Sequence, residues 1–215
     1  MSEGNLVLHP PIGTSLILAS ASPRRRCLLE QLGIRNYRVE PPDIEESVRK
    51  KEKPKHYAMR MARKKAQIMA GKYDSAYILA ADTVVACGRR ILDKADDRKL
   101  ASKSLRLLSG RSHQVIGAVV IKGPNSECVS RLVTTNVTFK RLQKIELDNY
   151  LDSGEWRGKA GGYAIQGVAS AFVRNLRGSY SNVVGLPLHE TYKLLMGLGF
   201  YYRIESGKEN LTVDQ

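Results

Sequence analysis

Long apolar runs are missing from this sequence. No stretch approaches the ~18 residues that a membrane span needs, and the first 15 residues, MSEGNLVLHPPIGTS, hold neither a basic leader nor a long apolar core. Neither a membrane span nor a secretory leader is therefore expected. Cysteine is scarce as well. Cys27, Cys87 and Cys128 are widely spaced and odd in number, which suits reduced thiols in a cytoplasmic protein better than a disulfide framework. The four histidines, His9, His56, His113 and His189, form no i, i+4 pair and no cluster with the cysteines, so their spacing gives no zinc site, and His113 reads as structural. Aromatic residues make up only 7% of the chain and form no stacking platform, which argues against a nucleic-acid-binding module. Negative charge is also short: 21 acidic residues face 35 basic ones, a net charge of +14. Anionic partners are the natural complement, whether nucleotides, nucleic acid or a membrane surface, and charge alone does not choose among them.

What is present is an alternation of strand and helix signals without a repeat, a low-complexity segment or a long linker. That pattern predicts one α/β unit, and 215 residues suffice for one core or for two small lobes sharing a cleft. Ser15 to Ala19 reads as a strand. Ser22 is an N-cap candidate, Pro23 suits the first helical position, Leu28, Leu29 and Leu32 give an inner face, and Gly33 closes the helix. A second helix is bracketed by Pro54 and Gly71, with Ala58, Ala62 and Met69 on one stripe and Tyr57, Met61 and Ile68 on the next. Lys65 falls on the first stripe, either snorkelling to water or carrying charge inward.

Residues 77–88, YILAADTVVACG, read as a buried strand broken by Asp82 and Thr83, and a helix follows that ends at Gly110. Gln114 to Lys122 and Val129 to Phe139 predict a long antiparallel hairpin. A short helix from Ile145 to Leu151, the glycine-rich SGEWRGKAGGYAIQG, a strand near Ala171 and a helix after GLPL complete the pattern. Residues 1–14 read as an N-terminal tail, and the polar residues 204–215 as a tail expected to fray.

The chemistry concentrates in LILASASPRRRCLLEQLG, residues 16–33, where a strand turns on small hydroxyl residues and opens a helix with three arginines. A helix N-terminus has unpaired N–H donors and the positive end of the dipole, so Ser20, Ser22, Arg24, Arg25 and Arg26 fit either a polyphosphate site or a capped surface helix with solvated arginines. Asp82 interrupts an apolar run, where a lone carboxylate is costly unless paired, metal-bound or placed at a turn. Glu45 and Glu46 lie in PPDIEES, as a solvated acidic turn or as donors to a hard cation; Mg²⁺ takes a few carboxylates together with water and substrate phosphate oxygens. Lys65, Lys94 and Lys159 are surface lysines or further phosphate charge, and the glycines around Lys159 would let backbone approach a ligand closely. Tyr163, Asn182 and the GSYSN loop are candidates to line a cleft.

LASASPRRR, AADTVV, LSGRSHQVIGAV, GKAGGYAIQG and SNVVGLPL, in that order, resemble the Maf family of nucleoside triphosphate pyrophosphatases, from about Ser15 to Leu195. The resemblance implies a single domain over 15–203 with an α/β Maf/Ham1-like fold: an elongated mixed sheet, flanking helices and a cleft between two lobes, usually in a homodimer. It implies hydrolysis of a nucleoside triphosphate between the α and β phosphorus atoms with a divalent cation, Mg²⁺ or Mn²⁺, preventing incorporation of non-standard nucleotides. Carried over by motif, Asp82 is the general base, Ser20, Arg24 and Arg25 belong to the phosphate and nucleotide loop, and Glu46 and Lys65 match the family's glutamate and helix lysine; Glu46 and Asp82 are then expected to face the metal, with Lys94 and Lys159 as further charge for the triphosphate. At Arg24, Thr83 and Gln166 the chain resembles the dTTP/UTP type. A glutamine amide offers one donor and one acceptor to a uracil-like edge, or else it is a buried structural amide. The chain departs from the family at Asp93, Lys94 and Ala95, where many members have proline last, which leaves the aim of Lys94 open.

The rival readings are a phosphatase or nuclease-like reaction, and a basic nucleotide- or nucleic-acid-binding regulator without turnover. A link to division arrest, also associated with the family, is not encoded in these residues. The expected partner is the nucleoside triphosphate itself, with no specific nucleic acid and no membrane.

Overall fold

The computed structural model describes residues 5–125 and 127–205. In chain order the strands are β1 (Asn5–His9), β2 (Ser15–Leu18), β3 (Arg38–Val39), β4 (Ala76–Cys87), β5 (Arg90–Leu92), β6 (Ser112–Lys122), β7 (Cys128–Phe139), β8 (Val173–Arg177) and β9 (Tyr201–Glu205). The α-helices are α1 (Pro23–Gln31), α2 (Pro54–Ala70), α3 (Arg98–Leu108), α4 (Lys144–Ser153), α5 (Tyr180–Val184) and α6 (Leu188–Gly197). Among the described residues no helix is long and apolar enough to cross a membrane.

Seven strands form one mixed sheet in the order β3-β2-β4-β6-β7-β8, with β5 attached to β4. The β3–β2 and β2–β4 pairs are parallel and the remaining pairs antiparallel. Strand β4 is buried on both faces, as its nearly continuous apolar run requires. Its even-numbered residues Ile78, Ala80, Val84 and Ala86 pack with Ala58, Met61, Ala62 and Met69 of α2. Its odd-numbered residues Tyr77, Leu79, Ala81 and Val85 enter a larger core with residues of α1, α3 and α6. The α2 stripe expected from periodicity is thus the face turned to the sheet.

Four expectations change. Strand β4 is not broken at Asp82 and Thr83: its ladder with β6 runs on through Asp82↔Ala118 and Thr83↔Gly117, because polar side chains leave the backbone hydrogen bonds intact. The strand expected near Ala171 begins at Val173, and Ala171 itself lies in a 3-10 turn, Val168–Phe172. Asn5–His9, read as tail, pairs antiparallel with Tyr201–Glu205, so Ile204 and Glu205 belong to a two-stranded ribbon rather than to a frayed end. Ser22 occupies the N-cap of α1, but its side chain makes no capping bond. Residues 1–4 and 206–215 of the two expected tails lie outside the described residues.

The opening that matters lies on the other edge of β4. Strand β2 pairs with it as far as Leu79, where the Ala19 amide donates to the Leu79 carbonyl, and β5 pairs with it only from Val85. Residues 80–84 therefore have no strand neighbour on that edge. Successive side chains of a strand point to opposite faces, so a gap here lets Asp82 on one face and Thr83 on the other border the same space.

Candidate active site

A cleft of about 500 Å³ fills this gap. Ten of the residues singled out in the sequence line it, Ser20, Arg24, Arg25, Glu46, Lys65, Asp82, Thr83, Lys94, Lys159 and Gln166, with Ser22 and Tyr163 beside them, whereas Arg26 is exposed on α1 and stays outside. The lining residues arrive on separate pieces of chain: the β2–α1 turn, the first turn of α1, the loop before α2, α2 itself, the middle of β4, the segment after β5 and the glycine-rich stretch.

The α2 side holds the carboxylates. Lys65 is buried and its Nζ lies 2.8 Å from Asp82 Oδ1 and 2.5 Å from Glu46 Oε1, so it does not snorkel. Lys94 Nζ reaches the other Glu46 oxygen at 2.7 Å. Burial alone would push the Glu46 carboxyl up, but the hydrogen bonds from Lys65 and Lys94 outweigh it and hold the group at about 2. Tyr57 donates its hydroxyl to the Glu46 carbonyl at 3.1 Å, and burial beside Asp82 and Glu46 pushes that phenol up to about 12, keeping it a donor. Glu45 remains an exposed residue of the loop.

The missing proline after Lys94 has a physical explanation. The Ala95 amide donates to the Lys159 carbonyl at 3.1 Å, a bond proline cannot make, and the Gly158 amide returns to the Ala95 carbonyl at 2.9 Å. These bonds and the Lys94↔Ala160 bridge fix the loop and join it to the glycine-rich stretch. Gly161 is needed there for two reasons: its φ is +69°, and a Cβ would come within 2.8 Å of Val85.

The opposite side is built differently. Arg25 is buried, and three of its donors are engaged: Nε to the Gly185 carbonyl at 2.9 Å, Nη1 to Ser20 Oγ at 2.9 Å and Nη2 to Thr83 Oγ1 at 3.2 Å. Arg24 Nε donates to the Val184 carbonyl at 3.3 Å. Neither guanidinium is ion-paired with a carboxylate among the described residues, so burial lowers both pKa values from the ordinary arginine range while leaving both groups positive. Lys159 is lowered likewise, by burial and by the nearby Arg24 charge. Helix α1 has no acidic residue in its first turn and no side-chain cap, so its N-terminal dipole adds to this field.

Gln166 is exposed at the cleft and makes no side-chain hydrogen bond among the described residues, so it is not a buried structural amide. Tyr163 lines the cleft from below, with its hydroxyl 2.8 Å from His113 Nε2. His113 is buried, and burial lowers its pKa to about 4, consistent with a structural side chain. Asn182 lies fully buried behind the cleft rather than in it.

Sequence reasoning missed three groups. Arg157 lines the cleft with its guanidinium 4.7 Å from the centre of the Trp156 ring, and the adjacent Trp-Arg pair in GEWRG was its only signal. The other two are the Val184 and Gly185 carbonyls, main-chain acceptors that no side chain announces.

The family model described as Maf-like protein matches residues 15–198. The chain belongs to the Maf family. A dTTP/UTP pyrophosphatase of Paramagnetospirillum magneticum is 54% identical over 185 residues, 86% of this chain and 97% of that protein. One of Caulobacter vibrioides is 51% identical over 188 residues, 87% of this chain and 97% of that protein. Among solved structures, a HAM1 protein from Coxiella burnetii aligns at 17% identity with a TM-score of 0.49, over 86% of this chain and 99% of that one. The Maf match starts at the first residue of β2 and stops before β9, so the β1–β9 ribbon lies outside it, while the whole cleft lies inside.

Proposed function

We propose that this Maf-family chain hydrolyses dTTP and UTP to the nucleoside monophosphate and pyrophosphate. The observation that carries the reading is the division of one cleft into a side of lysine-paired carboxylates and a side of arginines held only by neutral oxygens. Relatives at 51% to 54% identity named dTTP/UTP pyrophosphatase support it. A triphosphate needs cations to receive its charge, and an attacking water needs a base; the two sides provide one each.

In this reading Asp82, whose second oxygen has no hydrogen-bond partner among the described residues, accepts the proton of a water attacking the α phosphorus. Arg24, Arg25 and Lys159 stabilise the charge that develops on the departing pyrophosphate. Arg25 is held in place by three bonds, so little reorganisation is required when that charge appears. Gln166 and Arg157 bracket the nucleoside end, the glutamine matching the O4 and N3–H edge of a uracil-like base.

The donor chemistry fits a divalent cation of the Mg²⁺ type. Glu46 and Asp82 both reach Lys65, so their oxygens converge on one point that already attracts positive charge, and two carboxylates leave room for water and phosphate oxygens. Such an ion would neutralise phosphate oxygens and lower the pKa of a bound water. The same proposal includes a homodimer and a cytoplasmic setting; three free cysteines, two of them exposed, suit a reducing compartment.

Incubation of the purified protein with the common nucleoside triphosphates, with Mg²⁺, Mn²⁺ or chelator, tests this reading by product. TMP or UMP with pyrophosphate, abolished by chelator, is expected. Orthophosphate release would make it a phosphatase, and salt-sensitive nucleic-acid binding without turnover would favour the regulator.

A further inference from the structure

Behind the arginine side lies a polar assembly of Asn182, Thr135 and Ser179, none of which lines the cleft itself. Asn182 is 0% exposed, and its Nδ2 donates to the Val115 carbonyl of β6 at 3.1 Å and to Thr135 Oγ1 of β7 at 3.0 Å. Thr135 is also 0% exposed. Its hydroxyl donates to the Ser179 carbonyl and accepts from the Ser179 amide, both at 3.1 Å, so with Asn182 its one proton and both lone pairs are used. Room for the amide is made at Gly117, where a Cβ would stand 1.9 Å from Asn182 Oδ1.

These bonds tie α5 to the sheet. Helix α5 has five residues, too few to hold a conformation alone, so its place is set by what anchors it. Its C-terminal end supplies the two carbonyls that aim the arginines: Val184 to Arg24, and the adjoining Gly185 to Arg25 and, at 3.3 Å, to Thr83. The footing lies on the neighbouring rungs of the same sheet, because Val115 pairs with Val85 and Thr135, and Gly117 with Thr83.

We propose that Asn182 and Thr135 are positioning residues for the pyrophosphate-binding arginines, acting through the α5 carbonyls. A buried amide could have been replaced by an apolar side chain at similar volume; what it adds is a fixed distance between the sheet and the carbonyls that hold Arg24 and Arg25. The inference rests on the triphosphate reading of the cleft.

The test measures pyrophosphate binding by calorimetry together with steady-state kinetics. Asn182→Ala and Thr135→Val are expected to weaken pyrophosphate binding about tenfold and to lower kcat/KM for UTP by at least a similar factor, part of it in kcat, because the arginines act on charge that develops in the transition state. Thr135→Ser, which keeps the hydroxyl, restores both. In an Arg25→Lys background, Asn182→Ala is expected to cost less than about twofold more, because the group being positioned is already altered. Equal losses in both backgrounds, or a fall in kcat alone that tracks the folded fraction, would overturn the proposal. Should the variants not fold, amide exchange of the unaltered protein decides: pyrophosphate must slow exchange at residues 182–186, and unchanged exchange there contradicts the link. Wild-type protein that neither binds pyrophosphate nor turns over UTP would remove the triphosphate reading itself, whereas normal turnover with insensitive variants removes only the positioning role.

Discussion

The two sides of the β4 gap, each built around a buried charged side chain, handle charge in opposite ways. On the α2 side, Asp82 and Glu46 are neutralised by Lys65 and Lys94. On the α1 side, Arg24 and Arg25 are held by carbonyls and hydroxyls, which fix direction without cancelling charge. A buried cation without a carboxylate is costly, and the proposed function accounts for that cost by the phosphate charge the arginines would receive. The paired side, by contrast, is where the proposed function places a divalent cation. One cleft thereby presents a wall of charge-paired carboxylates and a positive one.

Replacing Asp82, the proposed base, is expected to break the paired side most severely. Asp82→Asn is expected to lower turnover by about 10² to 10⁴ while circular dichroism stays unchanged. Near-normal pyrophosphate release by the folded variant would contradict the role of Asp82.

Lys65→Met leaves the two carboxylates facing each other without their shared cation. Breaking a buried pair in this way costs about 3–5 kcal/mol, so the variant should unfold at lower denaturant concentration. Millimolar Mn²⁺ should return part of that stability if Glu46 and Asp82 can hold the ion. Loss of stability unaffected by Mn²⁺ would count against the metal position.

Beneath the cleft, His113 sharpens the contrast because it is buried as a neutral base. Its folded pKa, about 4, lies below its unfolded value of 6.5, so the unfolded chain binds the proton more readily. Its contribution is therefore intact above about pH 6.5 and is lost as pH falls towards 4, by about 3 kcal/mol over that window. Chemical denaturation across this range should show the slope, and His113→Gln should flatten it.

The smallest effect belongs to the exposed end of the cleft. Gln166→Ala is expected to reduce kcat/KM for UTP about tenfold relative to other triphosphates without lowering the melting temperature. A selectivity profile identical to that of the unaltered protein would remove Gln166 from base reading.

Particular residues show what was legible in the sequence. The apolar stripe of α2 and the Pro23 start of α1 follow from local periodicity and capping chemistry, which is why both elements appear where expected. Asp82 interrupts the sequence pattern because a carboxylate is unusual in an apolar run; in the structure the strand continues, and the interruption is in its neighbour on one edge. That gap depends on where β2 stops and β5 starts, a matter of non-local pairing that no window of sequence contains. The β1–β9 ribbon escaped for the same reason, since its strands lie at opposite ends of the described chain. Most candidate side chains reach one cleft, though Arg26, Glu45 and Asn182 do not, and the acceptors aiming its arginines are main-chain oxygens, which residue type does not encode.

The division of labour between the two walls is tested most directly by hydrolysing UTP in ¹⁸O-labelled water and locating the label. If Asp82 activates water against the α phosphorus while the arginines receive the leaving group, the heavy oxygen appears in UMP and the pyrophosphate is unlabelled. Label in the pyrophosphate, or in orthophosphate, would mean that attack occurs on the arginine side and would contradict the assignment of both walls.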